Sequence, residues 1–175
     1  MLMKQKILPS IMAKDQEELD ADFKKLEGLV KELHLDVVDG KFAPNEAMNF
    51  EFRLSRKFRY NIHLMVKNPE QWISKYLRRI DLFIPQIEEI KDIPNYISWM
   101  KDKGKRIGFA LKPETKVKIL EPYLVDIDYI LVLTVKPGFY GSKYLPRNLS
   151  KVKQIKKTYP KIKVIVDGGI SPETI

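Results

Sequence analysis

The sequence predicts an α/β fold with a largely parallel sheet, of the (β/α)8 barrel kind. Three observations lead there. Short runs rich in Val, Ile and Leu alternate with longer segments of helical period. Seven such runs begin at intervals of about 20 to 34 residues, the repeat of a strand with its return helix. The intervening segments carry helix start and stop signals. An open doubly wound sheet competes with the barrel. A complete barrel needs about 200 residues or more, and the chain has 175. The expectation is therefore one domain, 1–175, forming a barrel that lacks its last βα unit, as in a shortened or incompletely represented chain. Such a chain would expose apolar surface on its first and seventh strands.

Each element has a local reason. A first strand is placed at 6–11 (KILPSI), followed by a helix in which Asp15 and Glu18 form a capping box ahead of Leu19, Phe23, Leu26 and Val30. Strands follow at 33–39 and 60–66. Asn68 and Pro69 then open a helix that buries Trp72, Ile73, Tyr76 and Leu77. After a strand at 80–85, Pro94 opens a helix through Ile97 and Met100, closed by Gly104. Strands at 105–111 and 128–135 precede a helix lined by Leu149, Val152 and Ile155, which Pro160 stops. The last strand lies at 162–167, and Ser171, Pro172 and Glu173 read as a helix about to start.

Composition narrows the class. A hydrophobic content of 44% suffices for a sizeable core, and the absence of cysteine excludes disulfides and thiolate metal sites, in keeping with a reducing cytoplasm. The longest apolar run is far below what a bilayer needs, and no signal peptide opens the chain, so no membrane partner is expected. The formal charge is +9. Its lysines recur through the helices, as in Lys151, Lys153, Lys156 and Lys157, which reads as a solvated face rather than a nucleic-acid site.

The informative residues are polar ones inside strands that should be apolar. In Leu33-His34-Leu35-Asp36-Val37, alternation sends the apolar residues to one face and His34 and Asp36 to the other. In Asn61-Ile62-His63-Leu64-Met65 it turns His63 and Met65 away from Ile62 and Leu64, and the last strand ends on Asp167. A lone buried histidine is commonly a satisfied core residue, and a strand-end Asp a cap. Together, two imidazoles and two carboxylates aimed at one end of a sheet make a four-ligand site for zinc, iron, cobalt or manganese rather than calcium. A second constellation, Pro137-Gly138-Phe139-Tyr140-Gly141, leaves the strand at 128–135 with glycines that let backbone amides approach an anion; an ordinary turn reads equally well.

Six ordered stretches resemble the ribulose-phosphate 3-epimerase family: ILPSIMAKD (7–15), LHLDVVDGKFAPN (33–45), IHLMVKNPE (62–70), LKPET (111–115), LTVKPGFYGSKYLP (133–146) and VDGGISPET (166–174). The resemblance implies a TIM barrel of the ribulose-phosphate-binding type that inverts C3 of a ketose phosphate, interconverting D-ribulose 5-phosphate and D-xylulose 5-phosphate. It implies that His34, Asp36, His63 and Asp167 bind one divalent metal ion (Zn, Fe, Mn or Co), and that Asp36 and Asp167 double as the acid/base pair. It further implies that Ser10 and His63 contact substrate, and that Gly138, Phe139, Tyr140, Gly141, Gly168 and Gly169 grip its phosphate, with a loop after an eighth strand completing the grip. A cytoplasmic enzyme without organic cofactor, with a homo-oligomer as an open partner, is implied. The chemistry agrees: inversion beside a ketone needs two proton carriers, and a cation stabilises the enediolate.

Some positions depart from the family. Val38 and Leu133 stand where Met is common, Gln86 and Glu88 stand in PQIEE where a His is usual, and Tyr140 breaks the glycine pair, so its side chain must point away if the amides face a phosphate. These departures leave open a relative of the allulose-6-phosphate 3-epimerases. A decarboxylase of the orotidine-monophosphate type would want Asp-x-Lys where Asp36 precedes Val38 by two. A non-catalytic basic binding domain on the same fold accounts for the charge but leaves the inward polar residues without a purpose.

Overall fold

Alternation in the strands separates two apolar layers, and the computed structural model, which describes residues 5–174, shows both. Leu33, Leu35 and Val37 join Ile62 and Leu64 in a core between the sheet and its helices. On the other face, Leu82, Ile84, Ala110, Leu131 and Leu133 pack in a smaller inner layer.

The strands are β1 (Ser10–Ile11), β2 (Glu32–Asp39), β3 (Glu46–Ala47), β4 (Arg59–Met65), β5 (Leu82–Pro85), β6 (Arg106–Leu111), β7 (Tyr129–Leu133) and β8 (Lys163–Asp167). Their order is β1-β2-β4-β5-β6-β7-β8, all parallel, while β3 pairs antiparallel with the end of β2. Each new strand adds on the same side as the last. A doubly wound sheet would reverse that order at a switch point, so the monotonic order selects the barrel. Among the described residues β8 does not pair with β1, and the sheet curls as an incomplete barrel. Ile7 and Ile170, beside those two edge strands, are exposed, and Val164, Ile165 and Val166 are only half-buried.

The helices α1 (Gln16–Leu26), α2 (Pro69–Tyr76), α3 (Ile93–Asp102) and α4 (Leu149–Thr158) lie where the apolar period places them. Asp15 caps α1 by accepting from the Glu18 amide at 2.9 Å, and Glu18 returns a bond to the Lys14 amide at 2.7 Å. Gly104, with φ +62°, donates to the Lys101 carbonyl and ends α3. Two expectations change in detail. The first strand is confined to Ser10–Ile11, because β1 has a single strand neighbour among the described residues. Asn68 adopts a left-handed conformation and makes no side-chain cap, so α2 starts through Pro69 alone. Asp92, not singled out from the sequence, caps α3 through the Asn95 amide.

The lysines of α4 are partly tethered rather than free. Lys151 donates to the carbonyls of Lys112 and Pro113, and Lys156 to those of Pro160 and Ile162. No helix among the described residues is long and apolar enough to cross a membrane.

Candidate functional site

Parallel register is what assembles the site. Asp36 pairs with His63 between β2 and β4, and Ser10 pairs with His34 between β1 and β2, so these side chains share the inner face. Asp167 pairs with Leu133 at the end of β8. In a flat sheet, the four strand spacings from β4 to β8 would separate His63 from Asp167 by roughly 19 Å. Instead His63 Nδ1 lies 3.2 Å from Asp167 Oδ2 and 3.0 Å from Asp36 Oδ1. Curling of the sheet closes that gap.

His34 Nε2 lies 3.3 Å from the same Asp36 oxygen. One ligand atom from each of His34, Asp36, His63 and Asp167 falls within 4.8 Å of all the others. Nitrogen and oxygen donors sharing an ion at about 2.1 Å stand roughly 3.0–3.4 Å apart in tetrahedral or octahedral geometry. The three closest contacts fall in that range. His34 Nε2 is buried and has no hydrogen-bond partner among the described residues, which is the state of a nitrogen whose lone pair is kept for a cation. The cluster therefore fits a divalent metal ion.

Electrostatics point the same way. Burial opposes charge on His34, but Asp36 and Asp167 outweigh it and push the imidazole pKa up to about 9. His63 is raised too, with burial again opposed by Asp167 and Asp36. Burial likewise opposes ionisation of Asp36, yet His34 and His63 hold its carboxyl well below the usual carboxylate range. The cluster is a buried site that favours positive charge.

The chain belongs to the ribulose-phosphate 3-epimerase family. That family matches residues 6–175. The ribulose-phosphate 3-epimerase of Schizosaccharomyces pombe is 34% identical over 184 residues, spanning 99% of this chain and 80% of its own. The rice ribulose-phosphate 3-epimerase, cytoplasmic isoform, is 35% identical over 181 residues, covering 97% and 79% of the two chains. The Bacillus subtilis ribulose-phosphate 3-epimerase is 30% identical over 180 residues, covering 97% and 83%. The epimerases of this family are isomerases acting on carbohydrates.

The residues expected to grip a phosphate lie on two loops that pack together at the same end of the sheet. Thr134, after β7, donates through its hydroxyl to the carbonyls of Asp167 and Gly168 at 2.9 and 2.6 Å, and its amide donates to the Asp167 carbonyl at 2.8 Å. Gly168 has φ +97°, and any Cβ there would collide with Val135. Gly138 has φ +105°, and a Cβ would meet that of Ala43 at 2.6 Å. Glycine is thus required at both positions by close loop packing. Phe139 is half-exposed, and Tyr140 is 65% exposed. The Tyr140 phenol lies beside Ser10 and the Met12 amide, and burial raises its pKa. The side chain projects across the rim toward β1.

Val38 and Met65 form a small apolar group with Ala43 and Ala47 beside the cluster, and Leu133 packs in the inner layer. Sequence reasoning gave no role to Asn61. It is buried, and its Oδ1 faces His34 Nδ1. Its two-residue offset from His63, on the same strand face, was the available signal. Gln86, read only as a departure from the family, is fully buried with its carboxamide nitrogen 2.7 Å from His63 Nε2.

Proposed function

We propose that this protein is a metal-dependent epimerase that inverts C3 of a ketose phosphate, interconverting D-ribulose 5-phosphate and D-xylulose 5-phosphate. The observation that carries the reading is the convergence of His34, Asp36, His63 and Asp167 in a chain of this family. Inversion beside a ketone removes a proton from one face of C3 and delivers one to the other. Asp36 and Asp167 arrive on different strands and act as the two carriers: one carboxylate accepts the C3 proton while the other, as a carboxylic acid, donates. The next turnover in reverse exchanges their roles.

Loss of the C3 proton leaves an enediolate with negative charge over the oxygens at C2 and C3. His34, Asp36, His63 and Asp167 would hold a zinc, iron, manganese or cobalt ion, which when bound would supply fixed positive charge to stabilise that enediolate. His34 Nε2 and His63 Nδ1 flank one oxygen of Asp36 at 3.3 and 3.0 Å, which sets that carboxylate among the ligand atoms. Ser10 contacts substrate near the reacting carbons. Gly138, Phe139, Tyr140 and Gly141, with Gly168 and Gly169, present backbone amides to the phosphate. The rice relative is named a cytoplasmic isoform, and we assign this protein to the same compartment.

The test is a C3 epimerisation assay on D-ribulose 5-phosphate and on D-allulose 6-phosphate, with metal analysis of the same preparation. Asp36→Asn and Asp167→Asn should each lower kcat by about 10²-fold or more while circular dichroism stays unchanged. Near-normal turnover in either variant would overturn the two-carrier assignment. Faster turnover of the hexulose phosphate would move the substrate, not the chemistry.

A further inference from the structure

The two histidines of the cluster are held from behind by carboxamides, and the two carboxamides differ. Behind His34, Asn61 presents its oxygen to Nδ1. That oxygen is oriented, because Asn61 Nδ2 donates to Glu32 Oε1 at 3.2 Å and Glu32 is itself paired with Lys6. His34 therefore carries its proton on Nδ1 and keeps the Nε2 lone pair for the cluster.

Behind His63, Gln86 presents its nitrogen to Nε2 at 2.7 Å. Its oxygen is buried with no hydrogen-bond partner among the described residues. The backbone here is pinned: the Gln86 amide donates to the Leu64 carbonyl at 3.2 Å, and the residue bridges to Ala110. His63 faces the cluster with Nδ1, the nitrogen 3.0 and 3.2 Å from the two carboxylates. To ligate an ion, Nδ1 must offer a lone pair, so the ring proton belongs on Nε2 and needs an acceptor. An amide nitrogen cannot accept. Turning the carboxamide by 180° about its last bond exchanges its ends without moving any other group and brings the unsatisfied oxygen to Nε2.

We propose that Gln86 is the positioning residue of the metal centre: with its oxygen toward the ring, it holds His63 in the Nε2–H tautomer that leaves Nδ1 free to bind the ion. The inference rests on the four-ligand reading above. It gives the buried oxygen a partner, and it gives a residue that contacts neither ion nor substrate an influence on metal affinity. A carboxylate at this position would also accept from Nε2–H. A thioether of similar length would fill the space and accept only weakly.

The test uses the full chain with zinc, which permits nuclear magnetic resonance. Long-range ¹H–¹⁵N spectra of the zinc-loaded wild-type protein should show Nε2 of His63 protonated and Nδ1 bound. In competition against a chromophoric chelator, Gln86→Met should weaken zinc binding by about 10–100-fold, and Gln86→Glu should restore it to the wild-type level or tighter. Zinc-loaded wild type with Nε2 unprotonated overturns the inference even if a variant fails to fold. Equal zinc affinity in wild type and Gln86→Met overturns it as well. A wild-type protein that takes up no zinc, manganese or cobalt overturns the four-ligand reading itself, and this inference with it.

Discussion

Asp39 shows how one side chain builds the approach to the site. Its carboxylate accepts from the amides of Lys41, Phe42 and Lys67 at 2.9, 2.8 and 2.7 Å, tying the end of β2 to the turn after it and to the end of β4. Burial opposes its ionisation, but the amides prevail and hold its pKa below the ordinary value. A depressed folded-state pKa means that this stabilisation is complete above the unfolded value, about pH 4, and is lost as pH falls through the folded one. Asp39→Ala should therefore lower the unfolding free energy by about 1–3 kcal/mol at pH 7. In urea titrations the gap to wild type should narrow steadily below about pH 4. A gap that stays constant to pH 2 would show that the charge is not what the amides hold.

Among the elements, the loops after β7 and β8 decide whether Asp167 reaches the cluster. They are locked by Thr134 and by the contact of Gly168 with Val135. Gly168→Ala adds both a collision and a side chain at positive φ, so a loss of roughly 2–4 kcal/mol is expected. Val135→Ala in the same chain should recover only part of it, since the backbone conformation remains unfavourable. Thermal unfolding of the single and double variants reads this directly; full recovery would mean that the collision alone mattered. In the loop after β1, Asp15→Ala should cost about 1 kcal/mol through the loss of the α1 cap.

For the molecule as a whole, the site gathers opposite charges at one end of the sheet. Two carboxylates face two buried imidazoles, and sheet curvature is what brings Asp167 to the other three. An ion that binds the folded state alone stabilises it, by about 2.7 kcal/mol at a hundred times its Kd. Zinc or manganese should accordingly raise the melting temperature with a logarithmic dependence on concentration, and a chelator should reverse the gain. Asp167→Asn should flatten that response. An unchanged melting temperature across the titration would refute the metal centre as a structural element.

Strand positions, the four main helices, the inward set His34, Asp36, His63 and Asp167, and the family were legible in the sequence, because hydrophobic period and short motifs are local properties of the chain. The lone Asp92 cap and the two-residue strand β3 were not read, being too short to leave a period. What only the tertiary structure decided is long-range: that β8 curls round to place Asp167 beside His63, that Tyr140 crosses the rim toward Ser10, and that Asn61 and Gln86 stand behind the histidines. Strand register and sheet curvature set these contacts, and neither is written in any local stretch of residues.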